Sequence, residues 1–171
     1  MNTYLKDNEA EHWSVINTLN LQINSLNEEN TAIVGQSAGQ LIPSGGVGTN
    51  LQWNVNVRVN PAAMHSTSTN NDRIYAVKAG IYLIQFNGGI FSATLSGISR
   101  FTIKNDDGVI LSYSGGNNIS PQGDFESLSA IVYLEANQYV YVVASQNSTE
   151  QINLSRYSDH YPSFAMHLLK G

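Results

Sequence analysis

The sequence predicts an all-β fold, an antiparallel sandwich or jelly roll, preceded by a short coiled-coil helix. Three observations predict it. Runs after residue 50 alternate apolar and polar side chains with period two. Before residue 35, apolar side chains recur in alternating steps of three and four. A Gly/Ser-rich stretch divides the two patterns.

In chain order, the first element is a helix expected over residues 4–34. Ile16, Leu19, Ile23, Leu26, Asn30 and Ile33 take the a and d positions of its seam. The register is poor before Trp13 and good after it. An Asn at an a position, as Asn30 would be, is a known device for fixing register or oligomeric state. An amphipathic helix packed on its own domain is the alternative. Two good heptads are too short to hold chains together alone, so a second associating element is expected. The weak-heptad start, with Tyr4, Leu5 and Trp13, is where attachment to another structural protein would lie. The helix is expected to end near Val34–Gly35, Gly being a common helix cap.

Residues 35–50, GQSAGQLIPSGGVGTN, read as a linker, because five glycines in so short a span cannot sustain a helix. Residues 51–171 then form the head. LQWNVNVRV places Leu51, Trp53, Val55, Val57 and Val59 on one face. Strand-like runs follow in RIYAV, GIYLIQF, SRFTIK, VILSY, SLSAIVYL, YVYVVAS and SFAMHLL, rich in Val, Ile, Tyr and Phe. KNDDGV and EANQ read as tight hairpin turns. About eight to ten short strands with no helix among them make a sandwich or jelly roll.

Composition narrows the function. The chain of 171 residues has a formal charge of −5 and no cysteine, and only 12% of it is charged. Residues 1–34 set Lys6 against five acidic side chains and the head is near neutral, so neither nucleic acid nor an anionic membrane is an expected partner. Thiolate chemistry and disulfides are excluded. No apolar run approaches the ~20 residues of a membrane span. The polar, acidic start lacks a signal-peptide core, which leads us to expect a chain made without a secretion signal.

RIYAVKAGIYLIQF, with Gly80, Tyr82, Ile84 and Phe86, resembles the signature of the tumour-necrosis-factor and complement-globular-head superfamily. SLSAIVYLEANQYVYVV resembles that family's penultimate hairpin, and SFAMHLLKG its closing strand. The resemblance implies a jelly roll that forms a homotrimer, with both termini at its base and the helix as a three-stranded stalk.

Catalytic chemistry is not expected. His12, His65, His160 and His167 are scattered without metal-ligand spacing, and Asp106-Asp107 suits a tight turn better than a cation site. No nucleophile elbow, phosphate loop or carboxylate pair is present. We therefore expect no enzyme, cofactor or metal. The short turns at Lys78-Ala79, Asn105–Gly108 and Glu135–Gln138 are expected at one end of the head. The long connections, about 93–99, 114–124 and 146–162, are expected at the other. The long loops hold Asn117, Asn118, Gln122, Asn147, Arg156, Tyr157, His160 and Tyr161, amides and aromatics suited to a receptor or glycan. The expected function is a trimeric bacteriophage fibre or spike whose knob contacts a host-surface glycan or protein from the virion surface. Alternatives are a trimeric bacterial-surface or spore-coat protein, and a capsid decoration or head-fibre protein with a structural role only. A polysaccharide-cleaving enzyme would need a carboxylate cluster that the sequence does not show.

Overall fold

The computed structural model describes residues 30–90, 97–114, 117–118, 124–154 and 162–171. Its first strands are β1 (Thr31–Gly35), β2 (Gln40–Ile42), β3 (Thr49–Asn50), β4 (Val55–Asn60), β5 (Arg73–Tyr75) and β6 (Gly80–Ile90). Then come β7 (Ile98–Asn105), β8 (Ile110–Tyr113), β9 (Asn117–Asn118) and β10 (Asp124–Leu134). The last are β11 (Tyr139–Gln146), β12 (Ile152–Leu154) and β13 (Ser163–Lys170). A single 3-10 turn, Ala62–Met64, is the one helical element among the described residues.

All pairings are antiparallel. One sheet runs β10-β6-β13-β1-β4, and the second runs β3-β11-β7-β8, with β5 also on β11 and β9 on β7. A small ribbon joins β12 to β2. From β4 onward the chain steps repeatedly from sheet to sheet, except that β7, β8 and β9 follow one another within the second sheet. Inward side chains alternate as the pleat demands. Tyr82, Ile84, Phe86, Phe164, Met166, Ala32 and Val34 come from the first sheet, and Ile74, Phe101, Ile103, Val140, Val142 and Ala144 from the second. Trp53 stacks on Phe164 at 5.6 Å and meets Phe86 edge-on at 6.3 Å, while Phe86 reaches Phe101 of the facing sheet at 4.9 Å.

Four sequence expectations change here. Thr31–Gly35 is a strand, not the end of a helix: Ile33 pairs with Ala165 and Arg58, and Asn30 is buried with its carbonyl accepting from Leu168 N–H at 2.9 Å. Asn30 and Ile33 therefore belong to the head. The run Thr-Ala-Ile-Val is β-branched and fills a slot between two strands, and that tertiary pairing overrides a helical spacing. Ile16, Leu19, Ile23 and Leu26 lie outside the described residues. Second, residues 35–50 are not a free linker. They include β2 and β3, and Gln36 and Ile42 are buried. Third, β10 and β11 share no ladder. Their tight turn, with Asn137 at φ 73°, is clamped to Ala76 by Asn137 N–H to Ala76 O and Ala76 N–H to Gln138 O. Leu134 and Val140, on either side of it, are both buried, one in each sheet. The expected face of residues 51–59 also divides. Leu51 and Trp53 are fully buried, whereas Val57, skipped by the bulge opposite Ile33/Val34 on the edge strand β4, is 66% exposed.

Register fixes the ends of the sandwich. Gly80 pairs with Leu134, Val140 with Asn105, and the C-terminal Lys170 carbonyl lies where a Cβ on Gly80 would sit. The three short turns and Gly171 thus share one end. Thr31 pairs with His167 and Asn60, so the chain enters β1 at that same end. At the opposite end, Ile90 pairs with Asp124 and Ser99 with Gln146, which brings together the flanks of all three long connections.

The loop between β4 and β5 is tied down by His65, which is buried. Its Nδ1 lies 2.7 Å from Asn56 Oδ1 and its Nε2 3.3 Å from the Asn71 carbonyl. Burial lowers the imidazole pKa from its ordinary 6.5, opposed by the Asn71 carbonyl.

Two outcomes follow from this arrangement. A chain beginning at residue 30 keeps the native β signal in circular dichroism, whereas one beginning at residue 51 loses β1 from between β13 and β4 and fails to fold. For His65, the unfolded chain binds the proton more readily than the folded one. Its contribution to stability is complete above pH 6.5 and is lost as pH falls through the lowered value. Urea midpoints measured across this window should fall more steeply for the native chain than for His65→Gln.

Candidate functional site

The long-connection end is the place to look for recognition, because loops on a rigid scaffold commonly carry function and the strands below hold their roots. Of the residues expected to contact a receptor, Gln122, Arg156, Tyr157, His160 and Tyr161 lie outside the described residues. Asn117 and Asn118 form β9, paired with Ser99 and Ile98. Asn147 is exposed, and its Oδ1 accepts from Ile98 N–H at 2.7 Å while its own N–H donates to Ile98 O at 3.1 Å. The structure thus gathers Asn117, Asn118 and Asn147 around the start of β7.

Beside them is a cavity of about 160 Å³ lined by Gly46, Ile98, Arg100, Ser145, Gln146 and Asn147. Arg100 and Ser145 face each other across the β7–β11 ladder. The floor is rigid. Gln146 is buried, its Nε2 donating to the carbonyls of Ile42 at 3.2 Å and Glu150 at 2.8 Å, and its Oε1 accepting from Ser148 N–H at 2.6 Å. One amide side chain thus ties the roots of two separate loops to β11. Gly46, at φ 78°, donates its N–H to Gln146 O at 2.7 Å and closes the wall.

Sequence reasoning named only Asn147 of these. Arg100 lies between Ser99 and Phe101 in SRFTIK, and its companions Ser145 and Gly46 are distant in sequence. The only signal was a charged residue at an outward-facing strand position, and strands commonly carry those.

Other polar clusters are largely engaged within the fold, although Gln36 Oε1 and Arg73 Nε are buried without a hydrogen-bond partner among the described residues. Near the opposite end, Arg73 lies 4.4 Å over the Tyr139 ring and 3.5 Å from Asp72, whose carboxylate also accepts from Asn50 Nδ2 at 2.9 Å. Around a second cavity the amides of Gln36, Gln40 and Asn54 bond to Gln52, Asn50 and Ser37. His167 Nδ1 meets Thr31 Oγ1 at 3.2 Å within the first sheet. Among the described residues no group of three His, Asp or Glu side chains is placed to hold a metal. Asp106 and Asp107 occupy the β7–β8 turn, closed by Gly108 N–H to Asn105 O at 2.9 Å.

The Asn147 amide can be tested for its structural part alone. Asn147→Ala leaves the Ile98 N–H without its acceptor and should cost about 1 kcal/mol in urea unfolding, while Asn147→Asp keeps the acceptor and stays within about 0.5 kcal/mol of the parent. No protein-family model matches the chain, and no curated protein matches it.

Proposed function

We propose that this chain is a non-enzymatic, trimeric fibre or spike protein of a virion, most naturally a bacteriophage, whose jelly-roll head binds a host-surface receptor or glycan. The observation that carries the reading is the polarity of the head. The chain enters at Asn30 and ends at Gly171 beside the short turns, and the roots of the connections at about 93–99, 114–124 and 146–162 lie at the far end, whereas the β4–β5 loop starts at the near one. A head mounted through residues 1–29 therefore points its long loops away from the mount. The repeated stepping of the chain between two antiparallel sheets suits a jelly roll of the tumour-necrosis-factor-like kind.

Trimerisation is supported by the outer face of the first sheet. Ile131 and Tyr133 of β10 stand 69% and 57% exposed, next to Leu83 and Ile81 of β6 in register, with Leu169 of β13 beyond them. Aligned apolar side chains on an uncovered sheet face mark an association surface. A second copy of the chain, placed around a threefold axis by a stalk, covers such a face.

Light scattering at micromolar concentration should give three times the 18.7 kDa of one chain. Ile131→Asp, which puts a charge in the middle of the apolar face, should shift the mass toward the monomer. For attachment, Tyr157→Ala with Tyr161→Ala is expected to lower binding to host cells, and Asp106→Ala at the short-turn end to leave it unchanged. Normal attachment by the tip pair, with loss on changing Asp106, overturns the orientation.

A further inference from the structure

The cavity at the far end of the second sheet has a chemistry that the packing of the head does not use. Arg100 is exposed, and among the described residues its guanidinium has no hydrogen-bond or ion-pair partner. Asn147 Oδ1 is committed to Ile98 N–H, which fixes the amide orientation and leaves both Nδ2 protons without an acceptor among the described residues. The Ser145 hydroxyl, directly across from Arg100, is likewise uncommitted among them. No acidic side chain is found among the described lining residues. Donors of one sign therefore converge on a recess in a chain whose net charge is −5. Among the described residues nothing answers them, in contrast to Arg73, which Asp72 and Tyr139 already hold.

We propose that this cavity is an oxyanion subsite for a saccharide carrying a carboxylate or phosphate group. The Arg100 guanidinium supplies a planar fork that matches either oxyanion, and charge-assisted bonds of this kind are about twice as strong as neutral ones. Asn147 Nδ2 adds a neutral donor whose direction the Ile98 bond sets. Ile98, 44% exposed at the rim, offers an apolar surface for the C–H face of a sugar ring. The volume of about 160 Å³ holds on the order of five waters at ~30 Å³ each, enough for the anionic group and part of its ring but not for an oligosaccharide. The remaining sugars would lie outward, toward the long connections. Gln146 keeps the floor still, so the donors are preorganised when the ligand arrives.

This subsite rests on the receptor-binding reading for its biology but not for its test. The full-length chain is titrated with glucuronate, glucose 6-phosphate and glucose, following the side-chain N–H resonances of Asn147 and Arg100 by NMR. Glucuronate or the phosphate sugar should bind and glucose should not. Which of the two binds more tightly identifies the source of the oxyanion. Arg100→Ala should weaken the response roughly tenfold or more. Asn147→Asp, which keeps the Ile98 bond and places a negative charge at the donor position, should abolish it. Equal response to all three sugars, no response to any, or unchanged binding by Arg100→Ala overturns the proposal. Host-cell attachment separates the two levels. A parent chain that binds the acidic sugar but no cells refutes the receptor reading alone. A parent that attaches to cells, with Arg100→Ala attaching equally well, refutes the subsite alone.

Discussion

The contact on which the rest of the head depends is the meeting of Phe86 and Phe101, 4.9 Å apart across the gap between the sheets. Neither sheet can bury its apolar face by itself, and this pair, extended by Trp53 and Phe164, is where the two faces lock. A slip of one residue in β6 or β7 would turn the aromatic side chains out to water and polar ones inward. Registers on both sides are therefore held by the same cluster, and with them the position of every loop root.

Close approaches set the details at the ends. Gly80 admits the C-terminal strand because any side chain there would collide with the Lys170 carbonyl. Two residues on, the buried Tyr82 donates its hydroxyl to Lys78 O at 2.7 Å and closes the short turn from inside. At the far end the same logic uses amides. Gln146 collects carbonyls from two loops, and Asn147 caps the first backbone groups of β7. One end is thus held by close backbone approaches, and the loop roots at the other are braced by amides.

Much of this was legible in the sequence. Alternation in Tyr139–Gln146 and in Gly80–Phe86 reproduces the pleat because one face of each strand is solidly apolar. The short turns were readable from residues that tolerate their backbone, such as Gly108 and Asn137 with positive φ. What failed has a common cause. Asn30 and Ile33 are three apart, a spacing shared by a helical seam and by opposite faces of a strand, and only β13 and β4 decide between them. The β10–β11 turn has the length of a hairpin, but whether its arms pair or part depends on Ala76, some sixty residues upstream of it. The donor cavity was invisible because its lining comes from three separate strand and loop segments.

The placement of β1 has a mechanical consequence. This strand lies between β13 and β4, with its first residue at the short-turn end. Antiparallel ladder bonds run perpendicular to the strands. Tension applied at Asn30 therefore shears the rungs on both sides of β1 together instead of opening them one after another. A steady pull on Asn30 along β1 is thus resisted with the strength of two whole ladders, although the strand that bears the load is only five residues long.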